Sequence, residues 1–432
     1  MHGVGRGLLA LLLVGTASGA ERRIPYSAPS LRLPADTEGR LTASVYSLPS
    51  AFFTADEAKG FLAAVRKLDS ARTLVVLADP PLAARLDVQD VVVIDTGARS
   101  YSPWPRDPMS FAFAGERVVL LVRPNLQRGR EVDAGMAREI LRSLPEKLDL
   151  AWGGARWTEA PTPFHNGQVL LSKDAAWVTL HTLEPHILGE LGLAAVPVET
   201  FSTASGIDRY LEAARKAAER LGSLYGRPVR FVHPLPAKGS GNSTLMRTLG
   251  GGAGTDLDSV LTLVPRGESL AALVADVSAG QTLLAGLPQS DLSALRAGYG
   301  LKPEADALET ALQKAQESRR ARDLDGFLDL VADQLAKDGL KVVRLPLLVV
   351  PTSLRREIPR HPDFLLTWNN VVLETRGKAL RAEGFSSLSA AGDAAARAAF
   401  AALDVHLDLL PPLVESVVAN GGYRCASNHL RR

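Results

Sequence analysis

The chain has 432 residues, of which 46% are hydrophobic and 22% are charged. This composition is typical of a globular protein with enough apolar material for a large core. Its 49 Lys and Arg residues nearly balance its 47 Asp and Glu residues, so no net field favours a nucleic acid or an anionic lipid surface. We therefore expect no nucleic-acid partner, and any ligand has to be inferred from a site.

The first 20 residues have the features of a signal peptide. Arg6 supplies a positive charge, residues 8–14 form a short apolar stretch, and small residues lead up to Ala20. The apolar stretch is too short to span a bilayer as a helix. We expect residues 1–20 to be cleaved near Ala20, which leaves a secreted or periplasmic chain without a membrane anchor. Residues 21–40 are predicted to form an N-terminal lead segment.

Segments typical of strands and helices alternate along the rest of the chain. Short apolar, β-branched runs predict strands at residues 74–78, 91–95, 118–122, 169–171, 176–180, 229–232, 259–264, 270–275, 342–350 and 364–373. Helical patterns cover residues 55–68, 132–144, 207–221, 304–338 and 393–403, with a break in the fourth near Asp325 and Gly326. The order predicts one compact α/β domain. The glycine-rich residues 250–254 lack the Lys-Ser or Lys-Thr of a P-loop.

Cys425 is the only cysteine, so it cannot form an intrachain disulfide. In an exported protein such a residue is either a buried thiol that packs like a small apolar side chain or a reactive group. The glycine-rich sequence before it, NGGYRC at residues 420–425, favours the second interpretation.

Three separated segments carry residues suited to guanidinium chemistry: WPRD at residues 104–107, GTDLDS at residues 254–259, and NGGYRCASN at residues 420–428. In order and spacing they resemble the motifs of protein-arginine deiminases and of arginine and agmatine deiminases. These enzymes belong to the guanidino-group-modifying, or pentein, superfamily. The resemblance spans residue 104 to the end and implies a pentein-type α/β propeller of pseudo-repeated ββαβ modules over residues 41–432.

The resemblance also implies roles for individual residues. Cys425 matches the nucleophile, and Asp107 and Asp258 match the carboxylates that hold the substrate guanidinium. A planar cation with paired N–H donors is well held by carboxylates. Trp104 belongs to the first motif, and Arg424 stands directly before the nucleophile, where its charge is expected to favour the Cys425 thiolate.

One position departs from the family pattern. The second motif begins Gly-His-x-Asp in the family, and Asp256 stands in place of the histidine, which is the general acid/base. Three readings stay open: a protonated Asp256 transfers the proton, another histidine such as His165 reaches the site, or the pocket binds without turnover. On a strand, the i, i+2 spacing of Asp256 and Asp258 would put both carboxylates on one face.

These observations predict an exported hydrolase, a deiminase acting on arginine, peptidyl arginine or agmatine, with a non-catalytic guanidino-binding protein as the alternative. The sequence distinguishes neither the substrate nor hydrolysis from amidino transfer. We expect no cofactor and no metal. The residues His181 to His186 superficially resemble a metal-binding cluster, but Pro185 is expected to break the helical spacing that such a site needs.

Overall fold

Strands and helices alternate in a computed structural model that describes residues 22–27, 31–124, 130–164, 166–250, 252, 255–302, 305–355 and 362–432. The strands are β1 Leu41–Ser47, β2 Thr73–Ala78, β3 Val91–Asp95, β4 Met109–Ala114, β5 Arg117–Val122, β6 Arg156–Glu159, β7 Leu170–Leu171, β8 Ala176–Val178, β9 Val229–Phe231, β10 Leu261–Arg266, β11 Ser269–Asp276, β12 Lys341–Pro346, β13 Leu348–Pro351, β14 Asp363–Leu366, β15 Val372–Arg376, β16 Ala379–Phe385, β17 Val405–Leu410 and β18 Ser427–Arg431.

The α-helices are α1 Ala55–Leu68, α2 Pro80–Ala83, α3 Met136–Ser143, α4 Glu146–Ala151, α5 Leu180–Leu191, α6 Ala204–Tyr225, α7 Ser243–Gly250, α8 Val277–Ala285, α9 Gln289–Tyr299, α10 Ala305–Gln316, α11 Arg319–Lys337, α12 Ala390–Ala401 and α13 Val414–Val418. Among the described residues, no helix is both long enough and apolar enough to cross a membrane. The predicted signal peptide lies outside the described residues.

Five small sheets of the described chain share one topology. In each, an antiparallel pair is followed by one or more helices and then by a strand parallel to the second member of the pair. The five are β4-β5-β6, β7-β8-β9, β10-β11-β12, β15-β16-β17 and β18-β1-β2, and β3 extends the last of them. Strands β13 and β14 form a separate antiparallel pair. The α/β class and the repeated ββαβ pattern of the prediction are therefore present.

Local sequence explains where the elements begin and what they bury. Helix α1 starts at a capping box, in which Thr54 accepts from the backbone N–H of Glu57 while the Glu57 carboxylate accepts from the N–H of Thr54. Strand β2 follows with five buried apolar residues in a row, as expected for a strand paired in parallel on both sides. Such strands hold the loops that carry the site.

Three predicted boundaries are wrong. The single strand over residues 342–350 is two strands, because the chain leaves its partner β11 and pairs with β14. The single strand over residues 364–373 is also two, and its middle residues turn away from both sheets. The break in the long helical segment lies between α10 and α11, where Ser318 caps α11, and not at Asp325 and Gly326.

The described part of the lead segment packs on the rest of the fold. The backbone of Arg32 pairs with that of Phe113 on β4, and the backbone N–H of Asp36 donates to the carbonyl of Leu171 on β7. Strand β18 pairs antiparallel with β1, so residues 427–431 lie beside residues 41–46. The segment before β18 is thereby fixed among modules from widely separated parts of the sequence.

Candidate active site

Cys425 lies in the turn that leads into β18, and its side chain is almost fully buried. The Asn370 side-chain amide donates to its sulfur at 3.2 Å. The thiol lies 3.8 and 3.7 Å from the two carboxylate oxygens of Asp258 and can donate to either. The lone cysteine is therefore surrounded by polar groups and is not packed as a small apolar side chain.

The side chain of Asn370 positions this turn. Its amide N–H group donates to Asp258 Oδ1 at 2.9 Å as well as to the sulfur. Its carbonyl oxygen accepts from the backbone N–H groups of Arg424 and Cys425 at 2.7 and 3.2 Å. One buried amide thus fixes both the backbone and the side chain of Cys425. Asn370 belongs to the stretch between β14 and β15 that departs from the predicted strand.

Two glycines let the Cys425 turn approach its neighbours. A Cβ atom on Gly421 would lie 2.1 Å from Trp104 Nε1, and one on Gly422 would lie 2.4 Å from Asn370 Cβ. Real Cβ atoms do not make contacts this short, so a larger residue at either position would displace Trp104 or Asn370. The glycine pair is therefore required by close packing around the cysteine.

Arg424 is buried and points away from the Cys425 sulfur. Its guanidinium donates to Asp258 Oδ2 and to Asp36 Oδ2, both at 2.8 Å. It also donates to the backbone carbonyls of Asn166 and Val169, each at 3.2 Å. Arg424 therefore joins the lead segment, the start of the second module and the second motif to the nucleophile turn.

Asp256 and Asp258 lie on a turn and not on the predicted strand. Residues Leu257–Ser259 form a short 3-10 helix before β10, with Asp256 at its N-cap position. The turn still brings the two carboxylates together, because oxygens of Asp256 and Asp258 and the Cys425 sulfur all lie within 4.8 Å of one another. Asp258 is buried, whereas Asp256 is partly exposed.

A cavity of about 560 Å³ opens over Cys425. Its walls include Trp104, Asp107, Arg130, His181, Asp256, Arg320 and Cys425. These residues come from six separate stretches of sequence, and four of the predicted site residues face the same space. Asp258 and Arg424 are fully or almost fully buried and are not among the described residues that line it.

The predicted guanidinium ligand Asp107 is already bound to an arginine of the chain. Arg130 Nη1 donates to Asp107 Oδ2 at 2.6 Å, and the Arg130 guanidinium carbon lies 5.0 Å from the centroid of the Trp104 ring. Trp104 in turn donates from its indole N–H to Ser416 Oγ at 3.3 Å. The first motif is thus a binding surface for a guanidinium, occupied here by Arg130.

Charge and burial control the protonation of the two innermost groups. Burial raises the pKa of Asp258 to about 7, and the nearby Asp256 carboxylate adds to this rise, although Arg424 acts in the opposite direction. Burial and the carboxylates of Asp258, Asp256 and Asp107 raise the pKa of the Cys425 thiol well above its usual range. That Arg424 favours the thiolate stays a prediction; in this structure its guanidinium is paired with Asp258 and Asp36.

His165, the predicted alternative proton-transfer residue, lies outside the described residues. Within the described part of the cavity wall, the histidine is His181, near the start of α5. Its Nδ1 lies 3.0 Å from Glu184 Oε2. The expectation that Pro185 interrupts the helix is wrong, since α5 continues through it, while His186 is buried against Thr162. The sequence signal that could have identified His181 is Glu184, a carboxylate three residues later on the same helix.

Asp256, Asp258 and Cys425 could offer two oxygens and one sulfur to a metal ion. Asp258 and Cys425 are, however, already engaged by Arg424 and Asn370. A divalent ion would therefore have to compete with a buried arginine and a buried amide for these donors. The prediction that the site uses no metal remains a prediction.

Comparison with known proteins supports the fold assignment. No family model and no curated protein sequence matches this chain. Among solved structures, the agmatine deiminase of C. jejuni is similar with a TM-score of 0.53 and 12% identity, over 93% of this chain and 96% of the enzyme. The agmatine deiminase of Enterococcus faecalis gives a TM-score of 0.53 and 12% identity over 95% and 99%. The chain therefore has the fold of these agmatine deiminases, which confirms the predicted resemblance at the level of fold.

The charge around Cys425 leads to a testable prediction about its reactivity. We expect slow alkylation by iodoacetamide at pH 8, with a rate that still rises as the pH increases beyond the range of an ordinary thiol, because the raised pKa leaves little thiolate. Asp256→Asn should accelerate the reaction several-fold by removing one of the nearby negative charges. Mass spectrometry of the intact protein measures this directly, since Cys425 is the only thiol.

Asp363→Asn is the matched control for this measurement. Asp363 also lines the cavity but does not belong to the Asp256, Asp258 and Cys425 cluster. Its removal should change the alkylation rate little. Equal rates for the wild-type protein and Asp256→Asn would contradict an electrostatic effect of Asp256 on the thiol.

Proposed function

We propose that this chain is a hydrolase that acts on the guanidinium group of arginine, peptidyl arginine or agmatine through the sulfur of Cys425. The observation that carries the proposal is the meeting of Cys425, Asp256 and Asp258 within 4.8 Å beside a cavity that also contains Asp107. A cation placed over these acidic groups would have its carbon next to a nucleophile. The fold shared with agmatine deiminases supports the same class of reaction.

The proposed reaction proceeds in two displacements. The Cys425 sulfur forms a bond to the guanidinium carbon, and the C–N bond to one amino group breaks with release of ammonia. Water then adds to the carbon of the amidino-thioether, the C–S bond breaks, and a ureido product leaves with the thiol restored. Because carboxylates raise the thiol pKa, a bound cation acts in the opposite direction and promotes the thiolate when substrate is present.

A proton has to reach the departing amine, and a base has to activate the water. Asp256 is our first candidate because it is partly exposed in the cavity and close to the sulfur. His165 remains the alternative from the sequence. His181 is a third candidate, since it lies on the cavity wall and the Glu184 carboxylate beside its Nδ1 would orient the imidazole.

A second candidate function is guanidino binding without turnover. It is favoured by the internal ion pairs, because Arg130 engages Asp107 on the cavity wall and Arg424 engages the buried Asp258. The aspartate at the position of the family's histidine favours the same alternative, since a carboxylate strengthens cation binding but transfers protons less readily near neutral pH than an imidazole.

The five ββαβ modules are further proposed to surround one axis as a pentein-type propeller. Pairing of β18 with β1 supports this arrangement, because it joins the last module to the first. The lead segment contributes to the same centre, since Asp36 binds Arg424. The division into a lead segment over residues 21–40 and a catalytic domain over residues 41–432 remains a proposal.

Export is proposed from the sequence of residues 1–20. The positive Arg6, the apolar stretch and the small residues before the cleavage position support it. The proposed partner is a small-molecule or peptidyl guanidino compound outside the cytoplasm, with no nucleic acid and no membrane anchor. Expression of the full-length chain should yield an exported protein whose N-terminus begins near Glu21 by mass spectrometry. A chain retained in the cytoplasm with an intact N-terminus would contradict this proposal.

The activity is tested by colorimetric detection of a ureido product. The full chain is incubated with free arginine, agmatine and a blocked arginine peptide, alongside Cys425→Ala. We expect product from at least one substrate, and none from the variant because it lacks the nucleophile. Product of equal amount from both proteins would disprove the role of Cys425. No product from any substrate, with a folded protein that binds one of them, would favour the binding function.

Restoring the family residue with Asp256→His tests the proton-transfer step. We expect the variant to have a higher kcat than the wild-type enzyme near pH 7, because an imidazole titrates in this range. Its pH–rate profile should gain a limb near the usual pKa of histidine. Asp363→His places the same residue elsewhere on the cavity wall and should leave the profile unchanged. A loss of activity in Asp256→His alone would instead indicate that the carboxylate is required.

A further inference from the structure

The first motif, together with Ser102 before it and Asp133 after it, forms a complete receptor for a guanidinium group. Arg130 donates from Nε to Asp133 Oδ2 at 2.9 Å, from Nη1 to Asp107 Oδ2 at 2.6 Å, and from Nη2 to Ser102 Oγ at 2.7 Å. The flat face of the same group lies over Trp104, with 5.0 Å from its carbon to the ring centroid. We call the set of Ser102, Trp104, Asp107 and Asp133 the guanidinium seat.

The guanidinium seat is not an ordinary surface ion pair. The Arg130 and Asp107 side chains are 15% and 9% exposed, and Asp133 is fully buried. Ser102 is itself held in place, since its backbone N–H and its hydroxyl donate to the two oxygens of Asp133 at 2.9 and 2.7 Å. An acceptor for each guanidinium nitrogen and an aromatic face are the features that favour a guanidinium over an ammonium ion.

Arg320 is the other arginine on the described cavity wall, and it donates from Nη2 to the hydroxyl of Thr255 at 2.7 Å. Both arginines carry the same charge and line the same cavity. Arg320 is not bound in the guanidinium seat, which makes it a charge-matched comparison for Arg130.

We infer that Arg130 is a resident ligand of the guanidinium seat and competes with external alkylguanidinium compounds for Asp107 and Trp104. A ligand can occupy the seat only when the Arg130 side chain leaves it. Arg130 thereby determines the affinity and the specificity of the cavity. The inference rests on the proposed function only in taking the external ligand to be a guanidino compound, and it holds whether or not turnover occurs.

The competition is tested by binding of ethylguanidinium and ethylammonium to the full chain, measured by isothermal titration calorimetry. Occupancy by Arg130 lowers the apparent affinity by the fraction of time that the seat is open, so an open fraction of about one tenth costs about tenfold. Arg130→Ala should therefore bind ethylguanidinium about tenfold or more tightly than the wild-type protein. Ethylammonium lacks the planar, forked N–H donors and the flat face of a guanidinium, so its affinity should increase much less.

Arg320→Ala controls for the loss of one positive charge from the cavity. It should increase the affinity for both cations weakly and to a similar extent. An unchanged affinity of Arg130→Ala for ethylguanidinium would overturn the inference. Gains of equal size in Arg130→Ala and Arg320→Ala, or for both ligands, would overturn it as well, because they would reflect charge alone.

Folding of the variant is checked within the same experiment. Removing Arg130 leaves Asp107 and Asp133 without their shared cation, so Arg130→Ala should unfold at a lower temperature, and ethylguanidinium should restore part of the loss. Arg130→Gln, which keeps one donor for the buried acceptors, replaces it if the alanine variant does not fold. An absence of ureido product would reject the hydrolase while leaving these binding results intact. An absence of the affinity gain would reject the competition while leaving any activity intact.

Discussion

The buried guanidinium of Arg424 is the contact on which the candidate site depends. It bonds to Asp36, to Asp258 and to two backbone carbonyls that precede β7, so three distant stretches of sequence converge on one side chain. A charge buried in this way is tolerated because its donors are satisfied and two carboxylates face it. Removing one partner of such a group typically costs about 3–5 kcal/mol. Arg424 therefore acts as a structural centre of the candidate site, with its charge paired to two carboxylates.

The same pairing principle extends outward to the cavity. Each acidic group that the family resemblance assigns to substrate binding is paired with an arginine of this chain, Asp258 with Arg424 and Asp107 with Arg130. The two pairs differ in exposure, since Arg424 is almost completely buried and Arg130 lines the cavity. The inner pair belongs to the framework, whereas the outer pair can exchange with a ligand. This difference would allow the cleft to accept a cation, as we propose, although Asp107 and Asp258 are both paired with arginines in this structure.

The sequence predicted the α/β class, the resemblance and the meeting of Trp104, Asp107, Asp256 and Cys425 in one cavity. These residues stand in short motifs whose spacing is visible locally. The roles of Asn370 and Arg130 were not predicted, because each acts through partners that are remote in sequence or belong to another motif. Asn370 contacts Cys425 across 55 positions, and Arg130 contacts Asp107 across 23.

The predicted boundaries of several elements were wrong for a related reason. The apolar runs over residues 342–350 and 364–373 continue through points where the chain changes its pairing partner. A hydrophobic pattern indicates which residues are buried, and residues stay buried when the chain passes from one sheet to the next. The pattern therefore does not show where the pairing partner changes. The chain leaves sheet pairing between β14 and β15, and this leaves Asn370 free to contact Cys425. The hydrophobic pattern of the sequence does not indicate this interruption. The 3-10 turn at residues 257–259 was missed because a turn and a strand both suit two aspartates separated by one residue.

The pairing of β18 with β1 also determines when the thiol becomes protected. Ser44 Oγ and His429 Nδ1 are 2.8 Å apart although 385 positions separate them in sequence, so this contact is among the most non-local in the fold. Contacts of such separation form late, because closing the intervening chain costs entropy before the contact contributes stability. Until then Cys425 lacks the burial and the neighbouring carboxylates that raise the pKa of its thiol in the folded chain. In an oxidising medium the folding chain is therefore most vulnerable to mixed-disulfide formation just before this final pairing, and the native fold removes that vulnerability by burying the sulfur beside carboxylates.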